Sequence, residues 1–308
     1  MAIKRLQNRI AESRFALPIT VVYVLAVWAV GCLHGDMPYI QPLFIAVSAF
    51  MMMVLNNSNA LIRIYSRMVS CTFLVLTAGA AFLVDDWAPM LVQLCFVCFY
   101  AQFFTCYQNN NAPGRMFHAF MYLGVASIFF KQILFFVPFI WMLMPSKLMA
   151  FSWRMFWASV IGLVTPYWFV MGYCMLTDKL FLLYNQFVCE PWIYPISLNA
   201  LPGTPRLVTL AFVLLIAITG TVHFLRSSYN DKIRTRMIYE IFIIMNVLTV
   251  VFLVLQPQHY DMLLMLMLVN TAPVAAHYIA LTHTRTTNIS FILMAIAALA
   301  LTAYNIWM

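Results

Sequence analysis

The 308-residue sequence predicts an all-α, polytopic integral membrane protein with about eleven transmembrane segments and its N-terminus in the cytoplasm. Three features predict it: the composition, the length of the apolar runs, and the placement of the basic residues. Hydrophobic residues make up 65% of the chain and charged residues 8%. A soluble domain carries about 25% charged residues, because its surface must face water. A bilayer removes that need, since lipid-facing side chains can be apolar. No polar linker, low-complexity run or repeat divides the chain, so residues 1–308 read as one transmembrane domain.

A helix needs about 20 apolar residues to span the hydrocarbon core. Segments 16–33, 39–55, 68–84, 89–107, 155–176, 207–225, 237–255, 261–282 and 288–306 meet that length within a few residues. The start MAIKRLQNRIAESRF is basic, but the apolar run after it is long and lacks an A-x-A-like cleavage site. Residues 16–33 therefore read as a retained helix, not a signal peptide. The stretch 116–144 is too long for one ordinary span and short for two. Lys131 and Gln132 interrupt it, with Pro138 beyond. Two short helices meeting in a hairpin give eleven crossings; one tilted or kinked helix gives ten.

The basic residues separate these counts. In the eleven-crossing reading, fourteen of the seventeen Lys and Arg residues fall on the cytoplasmic side. Only Lys131, Lys179 and Arg206 fall outside, which is a strong positive-inside bias. A single crossing at 116–144 places Lys147, Arg154 and the cluster RSSYNDKIRTR outside. The hairpin is therefore favoured, with the C-terminus external. Asp36, Asp85, Asp86, Asp178, Glu190 and Asp261 all fall at external ends. Glu240 follows Arg236 by one helical turn, a spacing that allows an i,i+4 pair. The formal charge of +8 thus orients the chain in a membrane, and no basic stripe points to nucleic acid.

The external loop 178–205, DKLFLLYNQFVCEPWIYPISLNALPGTP, is long. Its first half is apolar between charges, which predicts an interfacial helix over 180–190 with Trp192 at headgroup depth. Pro191, Pro195, Pro202 and Pro205 argue against continuous helix in the second half. Cys95 and Cys98 form a CxxC inside an apolar run, with no second pair and no nearby His, so no metal site is expected. Cys32 and Cys189 alone fall near external loops and are the one candidate disulfide pair. No soluble-enzyme motif is present, and no cofactor is implied.

Three constellations carry the candidate chemistry. Asp36, Asp85 and Asp86 lie in short external loops. Such carboxylates share acid/base work or hold a divalent cation, or they are solvated loop residues beside a helix N-terminus. Lys131 is a charge within an apolar run, costing roughly 3 kcal/mol at the bilayer centre. Its ammonium suits an anionic lipid phosphate, or it snorkels to the surface at a hairpin tip. Asn246, Asn270 and His277 glue helices together or line a water-filled path.

The segment from RMFHAFMYLGVASIFFKQILFF through FSWR to GLVTPYWFVMGYCMLTD resembles an uncharacterised family of polytopic bacterial inner-membrane proteins of this length. SRFALPIT and HTRTTNISFILMAIAALAL fit its outline. That resemblance implies a location in the bacterial inner membrane and no established activity. A weaker likeness is to the GT-C glycosyltransferases, which use polyprenyl-phosphate sugar donors. It rests on Asp36 in the first external loop, Asp85 and Asp86 in a later one, and LGVASIFFK ending at Lys131. It implies catalytic roles for the three aspartates, with Lys131 holding the lipid phosphate. This chain departs from that family in being shorter, in lacking a soluble C-terminal domain and in the late position of its long loop. A non-catalytic subunit of an envelope or export system and a transporter or flippase are the alternatives.

Overall fold

The computed structural model describes residues 5–34, 41–194 and 202–307, and among them every regular element is helical. The elements follow the apolar runs: α1 (Leu6–Ala11), α2 (Ala16–His34), α3 (Gln41–Asn59), α4 (Met68–Gly79), α5 (Trp87–Phe103), α6 (Pro113–Phe129), α7 (Val137–Leu143), α8 (Trp153–Leu176), α9 (Leu180–Tyr184), α10 (Thr204–Ser227), α11 (Ile233–Leu255), α12 (Tyr260–Leu281) and α13 (Arg285–Trp307). Seven of these elements, some extended by a short 3₁₀ turn, are long and apolar enough to cross a membrane.

The helix α12 is the hub. Nearly all of it is buried, against α4, α5, α10 and α11. A helix that is apolar all round is buried in protein or in lipid, and α12 is covered by protein on every face. The peripheral α8 and α13 are equally apolar but mostly uncovered: Trp168, Phe169 and Leu176 are 71%, 72% and 88% exposed.

The stretch 116–144 doubles back. Helix α6 ends at Phe129, and Phe130 leaves helical geometry at φ −137°, ψ 83°. A 3₁₀ segment, Lys131–Phe136, then runs into α7 and a π turn at Met144–Leu148. Gln108, which precedes α6, donates its N–H to the Leu148 carbonyl at 3.1 Å, so the chain has returned to the end where α6 began. The return limb is irregular rather than one α-helix. Its 3₁₀ portion rises about 2.0 Å per residue, so thirteen residues from Lys131 to Leu143 cover about 22 Å.

Glycines let α8 lie directly on α6. A Cβ on Gly162 would stand 2.3 Å from the Phe117 carbonyl oxygen, and one on Gly124 2.5 Å from the Leu163 oxygen. Close backbone approach through small residues is how apolar helices associate without a hydrophobic driving force. The Ser127 and Tyr167 hydroxyls, 2.5 Å apart, and a Trp141 Nε1 bond to Ser159 Oγ at 3.0 Å pin the same unit.

The connections alternate between two ends of the bundle. One end gathers α1 with the links around residues 60–67, 104–112, 144–152, 228–232 and 282–284. Gln7 Nε2 ties α1 there by donating to the Ile279 carbonyl and Thr282 Oγ1. This end holds most of the basic residues. The opposite end holds Asp86, Lys131, Glu190, Arg206 and Asp261.

Candidate functional sites at the two ends of the bundle

Lys131 is the first residue after the α6 turn, and its side chain is 4% exposed. A buried ammonium requires a counter-charge and acceptors. Glu190 supplies both: Nζ lies 3.3 Å from Oε2 and donates to the Glu190 carbonyl at 3.1 Å. Trp192 covers the cation, with its ring centroid 5.8 Å from Nζ. Trp192 is itself fixed by Nε1 donating to the Phe187 carbonyl at 3.0 Å and by rings of Phe135 and Phe187. The Trp192 ring therefore packs onto the 3₁₀ segment. The Tyr194 N–H donates to Gln256 Oε1, and Gln256 Nε2 donates to the Tyr194 carbonyl, both at 2.8 Å, clamping the loop to the end of α11. The expected helix over 180–190 forms as α9 plus a π turn, Asn185–Cys189. The candidate disulfide pair, Cys32 and Cys189, is not formed: both are free thiols.

The aspartates separate by role. Asp36 lies outside the described residues. Asp85 closes a 3₁₀ turn, Ala81–Asp85. Asp86 is the N-cap of α5, its Oδ1 accepting from the Ala88 N–H at 3.0 Å. Trp87 packs edge-on against Phe129, with centroids 5.3 Å apart, which sets the start of α5 beside the end of α6. Asp85–Asp86 and Lys131 thus occupy neighbouring elements of one end. The carboxylate that meets the lysine is Glu190, which sequence reasoning placed outside but did not pair. The signal was available: a cation inside an apolar run demands an acid, and the long loop offers one. Nearby, Arg206 grips Asp261 with two bonds, 2.9 and 3.1 Å.

The basic end holds a second charged cluster. Asp231, in the short link between α10 and α11, has a fully buried side chain. Its Oδ2 lies 2.9 Å from His277 Nε2 on α12, and its Oδ1 lies 3.0 Å from Arg63 Nε in the α3–α4 link. The rings of His223, Phe224 and Tyr239 surround His277. Glu240 bonds Lys147, across the bundle, rather than the Arg236 that its spacing allowed. Arg234 donates to Asn59 Oδ1 at 2.7 Å and to the Phe104 carbonyl.

Between the ends, Asn246 Nδ2 donates to Thr271 Oγ1 at 3.1 Å, and the Tyr100 hydroxyl donates to Asn270 Oδ1 at 2.7 Å. These bonds tie α11 and α5 to α12. Among the described residues no group of three or more His, Cys, Asp or Glu side chains is arranged to hold a metal ion. Comparison with protein-family models, with curated proteins and with solved structures finds no match to this chain.

Proposed function

We propose that this chain is a multi-pass protein of a bacterial inner membrane that receives an anionic lipid head at its external end. The membrane reading is supported by the uncovered apolar faces of α8 and α13, far larger than a water-facing surface tolerates. It is supported too by the gathering of basic residues at one end, taken as cytoplasmic. The two limbs of the hairpin then count as two of eleven crossings, with the C-terminus outside. Reporter fusions after Asp86 and after Met308 test this. Both should read external, and a cytoplasmic signal at Met308 would refute the count.

One observation carries the lipid-head reading. The Lys131 ammonium is almost fully buried at the external end, whereas its counter-ion, Glu190, sits on a loop and is 57% exposed. A phosphate carries more acceptor oxygens than the Glu190 carboxylate and at least as much negative charge. It would take the place of Glu190 against Lys131, and the loop carboxylate would swing into water. Asp85 or Asp86, with Asp36 from the first loop, would then supply the base for transfer from a polyprenyl-phosphate-linked sugar, as in a GT-C-like enzyme of envelope glycan assembly. A base must come within about 2.6–3.2 Å of the proton carrier or act through one water.

A second reading, a non-catalytic subunit or scaffold of an envelope or export system, is favoured by Asp86, whose carboxylate is engaged in capping α5. Mass spectrometry of lipids extracted from the purified protein separates the cases. The wild type and Asp36→Asn should retain a polyprenyl-phosphate species, and Lys131→Gln should lose it. An identical lipid profile in the wild type and Lys131→Gln would refute the site. Retention with no loss of function in Asp36→Asn would leave the scaffold.

A further inference from the structure

Three of the central helices carry polar residues seven positions apart on buried faces. They are Gln41 and Ser48 on α3, Gln93 and Tyr100 on α5, and Asn270 and His277 on α12, all essentially inaccessible. A separation of seven is two helical turns, so each pair lies on one stripe. The Tyr100–Asn270 hydrogen bond sets the register between α5 and α12. Both helices run from the acidic end towards the basic end. Gln93 therefore stands about 10 Å from Tyr100 towards the acidic end, and His277 about 10 Å from Asn270 towards the basic end. Asn246, on α11, joins at the middle through Thr271. The Asp231–Arg63 pair continues the line from His277 to the surface, where the Arg63 side chain is 40% exposed.

This column is under-bonded as it stands. Both amide atoms of Gln93 and of Gln41, Ser48 Oγ, Asn246 Oδ1, Asn270 Nδ2 and His277 Nδ1 are buried without a protein hydrogen-bond partner. Buried polar atoms in folded proteins are satisfied by protein or by ordered water, and a polar site with several such atoms is where internal water resides. The core hydroxyls of Thr72 and Thr249 are paired, with the Ala272 and Met245 carbonyls. Among the described residues, half of the buried side-chain atoms without a protein partner lie on these faces of α3, α5, α11 and α12, and the rest are scattered over other parts of the bundle.

We propose that this column is a hydrated path that conducts protons between the Arg63–Asp231–His277 cluster and the opposite end of the bundle. The chemistry selects water and protons over a metal or alkali cation. Carboxamides and hydroxyls hold waters, whereas a hard cation needs six or more oxygens or several carboxylates, and no such group of acids is arranged here among the described residues. A proton entering past Arg63 meets Asp231, then the Nε2 face of His277. The imidazole releases a proton from Nδ1 to the first water of the column. Carboxamides do not relay protons themselves; they orient the waters that do. Ionisable side chains inside a membrane bundle mark such relays.

The test uses the full chain in liposomes loaded with a pH-sensitive dye, with a potassium gradient and valinomycin supplying the driving force. Wild-type protein should acidify the lumen faster than protein-free vesicles. Gln93→Leu, which fills the column without touching the ion cluster, should return the rate to that of protein-free vesicles. Wild-type flux indistinguishable from protein-free vesicles, or unchanged flux in Gln93→Leu, would overturn the proposal. A second measurement covers misfolding of the variant. Radiolytic hydroxyl labelling of the wild type should modify Tyr100, which bulk solvent does not reach but column water would. An unlabelled Tyr100 would overturn the hydrated path regardless of any variant.

Discussion

Gly162→Ala tests the packing of α8 on α6 with a single methyl group. The added carbon would meet the Phe117 carbonyl oxygen at 2.3 Å, its carbonyl carbon at 3.1 Å and its Cα at 3.2 Å. All three are backbone atoms in a regular helix, so no side chain can rotate away. The helices must instead separate by about 1 Å to restore van der Waals distance. Overpacking of this kind costs about 1–3 kcal/mol. Against that, alanine is favoured over glycine within a helix by roughly 0.5–1 kcal/mol. The net loss should therefore lie between about 0 and 2.5 kcal/mol, and the Trp141–Ser159 and Ser127–Tyr167 bonds will be strained with it. Gly172→Ala is the control, because nothing lies within 4 Å of a Cβ there and the same helix gains the same propensity. Thermal or detergent-induced unfolding of the purified proteins should rank Gly172→Ala at or above the wild type and Gly162→Ala below both. If Gly162→Ala is as stable as Gly172→Ala, the close approach of the two helices is wrong.

Other substitutions probe the ends. Glu190→Gln removes the carboxylate opposed to Lys131, so the purified protein should carry more anionic lipid than the wild type; an unchanged lipid-to-protein ratio argues against competition for that ammonium. Asp86→Ala should cost about 1 kcal/mol through loss of the α5 cap, and Asp86→Ser should restore it. Equal melting of the alanine and serine variants would free Asp86 for another role. Asp231→Asn leaves Arg63 and His277 without their shared carboxylate. Breaking a buried pair costs about 3–5 kcal/mol, and the partial exposure of Arg63 places the expected loss near the lower bound. A melting curve unchanged by Asp231→Asn would show that the cluster does not hold the three links together.

The helices were legible because their signal is local. An apolar run ends where polar or loop-forming residues begin, and the expected 16–33, 155–176 and 237–255 match α2, α8 and α11 within a few residues at each end. The reversal inside 116–144 was also legible. Lys131 marks the turn, and the counting of basic residues chose between one limb and two. The irregularity of the return limb was not, because hydropathy does not distinguish a 3₁₀ segment from an α-helix. Pairings between distant residues were missed for a different reason. Asp231 sits among the basic residues of RSSYNDKIRTR, yet its partners are Arg63 and His277 on other links and helices. Glu240 had a basic residue one turn away and bonds Lys147 instead. Gln41, Ser48 and Gln93 escaped notice because one neutral polar residue barely changes the apolarity of a run of twenty.

The two charged clusters are built on opposite physical plans, and that difference bears on what each end can do. At the basic end the shared carboxylate is the buried partner, and the exposed group is a guanidinium. Asp231 is also held by His277 from a second direction, so displacing Arg63 alone leaves the acid paired and the links in place. That arrangement suits a fixed element of the fold that exchanges a proton without moving. At the acidic end the buried partner is the ammonium, and the group facing water is a carboxylate on a loop tied to the end of α11 through Tyr194. Withdrawing Glu190 removes a counter-charge from a buried cation, a loss that an incoming anion offsets. An exposed acid over a buried base therefore favours exchange of one anion for another, and the loop that carries Glu190 is the element whose motion such an exchange requires.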